Sequence, residues 1–382
     1  MIPYGKHNVI QQDIDAVVDV LTNKFLTQGE TVPRFEQALC DFTGAKYSVA
    51  VNSGTSGLHV ACLAAGVGKG DVVWTSPNSF VASANCALYC GASVDFIDID
   101  PVTRNISLDA LSAKLKWAEA STCLPKAIVV VHFAGLSCDM RAIKALVEPF
   151  NILLIEDAAH ALGGYFEQTA IGACQYSDMA VLSFHPVKSI TTAEGGAVMT
   201  NDSALAERLV LYAKHGITRD ETAMTENHGP WYYEQQVLGF NYRMSDIHAA
   251  LGLSQLSRLS EFINQRRALA HRYHQRLRVL PLQLPPIYSL EDDESAWHLY
   301  MVEVLGGERD VVFSKLRASG IGVNVHYIPI HLQPFYQSLG FKVGQFPNAE
   351  AYYSRAITLP LYPGLSESEQ DKVVDALREA LS

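Results

Sequence analysis

Ile152-Leu153-Leu154-Ile155-Glu156-Asp157-Ala158-Ala159-His160 decides the fold. The run Ile152–Ile155 is apolar and partly β-branched, the pattern of a short strand covered on both faces. Asp157 follows it closely. A carboxylate at the end of a buried strand needs a cation or a hydrogen-bond donor. The carboxyl edge of an open α/β sheet, where such folds gather their ligands, supplies that setting. Capping a helix is the plainer role for a lone Asp, so the neighbouring segments have to decide.

Working outward, the same pattern recurs. Short apolar runs stand at Tyr47–Val51, Val72–Thr75, Val94–Ile97, Ala127–Val131, Met179–Ser183 and Ala197–Met199. Segments of helical length and spacing, such as Thr55–Ala65 and Phe80–Cys90, lie between them. This alternation predicts an α/β domain with a mostly parallel central sheet. From Ser245 to about Val279 the pattern becomes one long helix or two in succession, with Ser245 and Asp246 as the N-terminal cap. After Pro281 strands are expected at His298–Leu305 and Ile321–Val325, and helices at Asp310–Ala318, Asn348–Arg355 and Ser366–Leu381. The expected division is an N-terminal segment (1–25) carrying a helix over Gln12–Thr22, a large α/β domain (26–265) and a smaller C-terminal α+β domain (266–382).

Composition narrows the function. Of 382 residues 48% are hydrophobic and 18% charged, enough for a large core. Lys and Arg number 29 against 40 Asp and Glu, a net charge of −11. That balance argues against a nucleic-acid or anionic-membrane partner. The 7 cysteines are odd in number, scattered and free of Cys-x-x-Cys pairs, as expected of reduced thiols in a cytoplasmic protein. No apolar stretch is long enough to span a bilayer. His326 and His331 flank a proline-containing loop without an evident third ligand, so hydrogen bonding is expected of them and no metal site.

Three further strand ends carry unusual residues. Asn52-Ser53-Gly54-Thr55-Ser56-Gly57 runs from strand to helix, and its free amides and the helix end suit a phosphate. Lys188 follows Met179–Ser183 in a stretch rich in small and hydroxyl residues, before Glu194-Gly195-Gly196. A lysine partly removed from water has a lowered pKa and becomes an amine nucleophile. Phe80 places an aromatic ring after Val72–Thr75. Taken singly, these are a capped turn, a surface lysine and a core phenylalanine. Together with Asp157 they supply what pyridoxal 5'-phosphate needs: an amine for its aldehyde, a carboxylate for its ring nitrogen, a phosphate cradle and a flat apolar wall.

Asp-x-x-His, Ser-Phe-x-x-x-Lys and Glu-Gly-Gly, at Asp157–His160, Ser183–Lys188 and Glu194–Gly196, resemble the DegT-type sugar aminotransferases of the fold-type I pyridoxal-phosphate superfamily. The resemblance runs from Ile2-Pro3-Tyr4-Gly5 to the C-terminal helix. It includes Phe25-Leu26-Thr27-Gln28-Gly29, Gly239-Phe240-Asn241-Tyr242-Arg243-Met244 and Val325-His326-Tyr327-Ile328-Pro329. It implies that Lys188 holds the cofactor covalently, that Asp157 pairs with the ring nitrogen and that His160 lies near the phenolic oxygen. Phe80 is the implied stacking ring, and Gly54, Thr55, Ser56 and Ser183 the phosphate and active-site contacts. Asn241 resembles a residue that reaches the phosphate of a neighbouring subunit, which implies a homodimer with shared sites. Tyr4, Lys24, Phe25, Leu26, Thr27, Asn324, Val325, His326 and Tyr327, with Gly54, Ser183 and Asn241, resemble sugar-nucleotide contacts. The implied reaction moves an amino group from L-glutamate to a keto sugar. The opening and the run Val325–Tyr336 are most similar to the subgroup that aminates a UDP-4-keto sugar at C4 in pseudaminic acid synthesis. The same chemistry on a UDP-4-keto-pentose or a dTDP-4-keto-hexose is the main alternative. A sugar dehydratase on this fold would carry histidine where Lys188 stands. A non-catalytic regulator would not need Asp157, Lys188 and the phosphate turn together. Arg243 is a candidate for the donor's carboxylate, with a structural salt bridge as its other reading.

Overall fold

A computed structural model describes residues 1–287 and 293–382. Seven strands make the central sheet: β1 (Tyr47–Val51), β2 (Val72–Thr75), β3 (Ser93–Phe96), β4 (Ala127–Val131), β5 (Leu153–Asp157), β6 (Met179–Ser183) and β7 (Gly196–Thr200). Their order is β1-β7-β6-β5-β4-β2-β3. Neighbours from β6 to β3 pair in parallel, while β7 runs antiparallel to both β1 and β6. The sheet is thus mostly parallel, with one reversed strand, and each strand lies within two residues of its predicted run. The runs are apolar throughout because helices cover both faces; β4 and β7 are buried along their whole length.

Three helices and their neighbours position the site. β1 leads into α2 (Gly54–Ala64), whose cap Ser53 accepts from the Ser56 amide, and β2 leads into α3 (Ala82–Tyr89). The expected long helix is two, α4 (Asp246–Leu256) and α5 (Leu259–Leu277), and Ser245 does cap the first. Upstream of these, α1 (Gln11–Asn23) packs on α4. The buried Asp13 carboxylate fixes that contact, accepting from Ser254 Oγ (2.6 Å), Gln255 Nε2 (2.8 Å) and Arg258 (2.5 Å).

The C-terminal part folds as a three-stranded antiparallel sheet, β8 (Leu282–Gln283), β9 (Tyr300–Val304) and β10 (Ala356–Leu359), flanked by helices Arg309–Ala318 and Glu367–Ala380. Its own core gathers Tyr273 of α5 with Tyr300, Val302, Leu316, Ile357 and Val374. Glu303, on β9, is buried between Arg104 (2.6 Å) and Arg355 (2.7 Å), tying this sheet to the loop after β3. The expected strand Ile321–Val325 does not form. Ile321 and Asn324 make only single bridges, to Ile2 and Thr358. The N-terminus lies across this segment: a Cβ on Gly322 would stand 2.7 Å from the Ile2 carbonyl oxygen. The strand expected from His298 begins at Tyr300, because the chain turns at Trp297 with φ +46°. Strand β10 was not anticipated. No helix among the described residues is long and apolar enough to cross a membrane.

Candidate active site

A cavity of about 550 Å³ opens at the carboxyl ends of β1, β4, β5 and β6. Ser53, Gly54 and Thr55 line it from the turn after β1, Ser79 and Phe80 from the turn after β2, and Asp157 and His160 from the end of β5. Ser183, His185 and Lys188 line it from the segment after β6. Tyr4, His298 and Asn324–Tyr327 close the opposite side. Residues distant in sequence meet here because parallel strands all end on the same edge.

Alternation along β5 sends its two carboxylates apart. Glu156 is held by His132 Nε2 (2.6 Å) and Ser177 Oγ (2.5 Å). Asp157 faces the cavity and is almost fully buried. Its Oδ2 accepts from Ser83 Oγ (2.6 Å) and its Oδ1 from the Ala159 amide (3.2 Å). Ser83 is braced in turn by Ser79 (2.7 Å). These donors keep a buried carboxylate solvated by protein.

Lys188 sits in the loop joining β6 to β7. Bonds from the Phe184 amide to the Gly195 carbonyl (2.9 Å) and from the Thr192 amide to the Phe184 carbonyl (3.0 Å) close that loop. Burial pushes the Lys188 ammonium down from 10.5 to about 8, with the Asp157 carboxylate opposing. The amine is thus poised to act as a nucleophile near neutrality. Three histidines surround it in neutral form. Burial, with the Lys188 charge adding to it, pushes His160 well below its usual range and His326 to about 3. His298 is pushed well below by burial, with the Lys188 charge adding to it.

Gly54 permits a close approach at the cradle. A Cβ there would meet Ser183 Cβ at 2.9 Å and Ser183 Oγ at 3.1 Å. The cavity therefore holds an amine of lowered pKa, a buried carboxylate, an exposed aromatic ring at Phe80 and a helix-start turn with a hydroxyl beside it. This donor set fits pyridoxal phosphate.

Several expected contacts lie elsewhere in the chain. Ser56 is buried under its turn, bonded to Asn52 (2.5 Å) and Ser53 (2.8 Å), and does not line the cavity. Lys24 pairs with Asp19 (3.1 Å) and Glu30 (3.5 Å), and Phe25, Leu26 and Thr27 are exposed outside the cavity. Asn241 is exposed too, held through its backbone bridge to Lys214. Arg243 makes no ion pair among the described residues and does not line the cavity. His331 is buried against Glu350 (2.9 Å), away from it. Sequence reasoning missed Ser79, Ser83 and His298 and gave Glu194 no role beyond its motif. The Trp297-His298 pair before an apolar run was the available signal for the last.

The sequence matches the DegT/DnrJ/EryC1/StrS aminotransferase family over residues 8–378. The chain belongs to this family. It is 38% identical to the spore coat polysaccharide biosynthesis protein SpsC of Bacillus subtilis, over 99% of this chain and 96% of that protein. Its fold resembles Helicobacter pylori PseC, an aminotransferase involved in the biosynthesis of pseudoaminic acid, with a TM-score of 0.88 and 31% identity over 100% and 99% of the two chains. It also resembles Streptococcus pneumoniae Spr1654 in its PMP form, with a TM-score of 0.90 and 28% identity over 100% and 99%. This DegT-family protein is therefore a transaminase of fold-type I, and its cofactor is pyridoxal phosphate.

Proposed function

We propose that the protein moves an amino group from L-glutamate to C4 of a UDP-4-keto-6-deoxy-N-acetylhexosamine, as a homodimer with shared sites. The observation that carries this reading is the lining around Lys188. Opposite Asp157 the cavity offers neutral polar groups, Tyr4, Asn324, His326 and Tyr327, and among the described residues no arginine. Such a wall suits the hydroxyls of a sugar better than a second dicarboxylate, which calls for a guanidinium clamp. Similarity to SpsC and PseC supports the sugar, and PseC the pathway.

In this reading the cofactor supplies an electron sink for the carbon that gains or loses the amine. Lys188 would hold its aldehyde, Asp157 its ring nitrogen, Phe80 its face, and Gly54, Thr55 and Ser183 its phosphate. Once released, Nζ of Lys188 takes the proton from the α-carbon of the donor. Exposed Asn241 supports the second copy, as do the exposed apolar residues Ile14, Val18 and Leu21 along α1 with Ile10 before it, and the exposed Trp231 and Leu238.

The test is incubation of the holoenzyme with glutamate and a panel of UDP- and dTDP-4-keto sugars. Mass spectrometry reads which sugar gains an amine, and NMR reads the configuration at the new carbon–nitrogen centre. The UDP-4-keto-6-deoxy-N-acetylhexosamine should react fastest. Preference for a UDP-4-keto-pentose or a dTDP sugar would overturn the assignment.

A further inference from the structure

One buried backbone residue holds two histidines that line the cavity. Ala134, in the left-handed region at φ +59°, gives its N–H to His160 Nδ1 (3.2 Å) and accepts at its carbonyl from the His298 amide (2.9 Å). A backbone N–H can only donate, so Nδ1 of His160 is the ring's lone pair. The ring is neutral, which leaves its single proton on Nε2. Nε2 lies 3.1 Å from Tyr327 Oη, so there the histidine donates and the hydroxyl accepts. The proton of Tyr327 must then point elsewhere. Among the described residues Oη has no other hydrogen-bond partner, and the residue lines the cavity. Burial raises the Tyr327 pKa, so the hydroxyl keeps that proton.

We propose that the series Ala134 N–H, His160, Tyr327 fixes Tyr327 as a hydrogen-bond donor into the cavity, aimed at an acceptor oxygen of the bound reactants. His160 is the positioning residue that sets the direction. The acceptor is an oxygen of full or partial negative charge: the phenolic oxygen of the cofactor or the carbonyl oxygen of the amino-accepting substrate. The inference rests on the transaminase reading of the cavity.

The surroundings hold this series rigidly. The His298 ring packs on His160 with centroids 4.4 Å apart. Arg266, buried and without a carboxylate partner among the described residues, gathers the carbonyls of Trp297 (3.3 Å), His298 (3.2 Å) and Leu361 (3.0 Å). Gly135, at φ +101°, lets these segments touch. A Cβ there would lie 2.9 Å from the His160 carbonyl oxygen and the Trp297 nitrogen. The His160 ring therefore has little room to turn over and exchange its donor and acceptor edges.

Direction can be tested because glutamine preserves it. In His160→Gln the amide oxygen can accept from Ala134 and the amide nitrogen donate to Tyr327, whereas His160→Leu keeps bulk and loses both. Holoenzymes carrying Tyr327→Phe, His160→Gln and His160→Leu are compared with the parent by two readouts. One is the pH midpoint of the bound cofactor's absorbance without substrate. The other is the rate of each half-reaction, with glutamate and with the keto sugar. If the target is the phenolic oxygen, Tyr327→Phe raises the midpoint by about one pH unit, since a donor to an anionic oxygen has been removed. If it is the substrate carbonyl, the midpoint stays and the keto-sugar half-reaction slows by about tenfold to a hundredfold. In either arm His160→Leu follows Tyr327→Phe, and His160→Gln recovers most of the loss. Tyr327→Phe matching the parent in both readouts, or His160→Gln as impaired as His160→Leu, overturns the proposal. Failure of glutamate to convert the parent holoenzyme would instead defeat the transaminase reading, and the absorbance midpoint would still decide the hydrogen-bond direction.

Discussion

Removing a cofactor ligand should make the lysine more reactive in the cofactor-free protein. Burial lowers the Lys188 pKa from 10.5 to about 8, against the pull of Asp157. At pH 7 roughly one amine in ten is then uncharged, against roughly one in three thousand for a solvent lysine, a gain of about 300-fold in nucleophile. The difference corresponds to roughly 3 kcal/mol of disfavoured charge. Asp157→Asn removes the carboxylate that steadies the ammonium. Its Lys188 midpoint should fall further, on the order of one pH unit for a single charge at this partly buried range. Trace acetylation of the cofactor-free protein from about pH 6 to about pH 11, read peptide by peptide by mass spectrometry, measures this directly. The exposed Lys46 and Lys69 serve as internal standards. The parent Lys188 should have its midpoint near pH 8, and the variant a lower one, while the variant retains pyridoxal phosphate poorly. A parent midpoint near 10.5, or an upward shift in Asp157→Asn, would refute the burial argument.

Lys188→Met should stabilise the cofactor-free protein. A lysine whose folded pKa is depressed costs stability below about 8, and the cost fades as pH rises towards 10.5. Urea denaturation should therefore show an advantage of up to about 3 kcal/mol at neutral pH that disappears near pH 10.5. Ser83→Ala removes the donor 2.6 Å from Asp157 Oδ2. A hydrogen bond to a charged group contributes about 1.5–3 kcal/mol, so cofactor retention on dialysis should weaken by tenfold or more. Glu303→Gln leaves Arg104 and Arg355 with an uncompensated charge next to a buried amide. It should cost about 3–5 kcal/mol in chemical denaturation, with the loss of two-state behaviour if the two sheets separate.

The central sheet was legible because its strands are covered on both faces, which forces near-continuous apolar runs such as Ala127–Val131. Lys188 and Asp157 were legible because each follows such a run directly, and strand order brings their ends together whatever the intervening helices do. The run Ile321–Val325 misled, since an apolar stretch does not announce that residues 2–4 will occupy its edge. Ser83 was invisible for a different reason. A serine second in its helix looks like any other until α3 sets it 2.6 Å from a carboxylate 74 residues away. His298 lay hidden in what read as a strand, where the positive φ at Trp297 turns its ring back towards His160. The stretch Lys24–Thr27 carries a motif, but its single-chain surroundings are an ion pair and open surface, and sequence alone does not say which molecule it faces.

The bridge between Ile2 and Ile321 has a consequence for biosynthesis. Ile2 exchanges backbone bonds with Gly320 and Gly322, and the Tyr4 carbonyl accepts from Leu361. Residues 2–4 are therefore synthesised well before the segments at 320–322 and 361 on which they dock. The half of the cavity built by Asp157 and Lys188 is translated long before the half built by Asn324–Tyr327. A nascent chain stalled after β7 would present the amine and its carboxylate without the wall that closes over them.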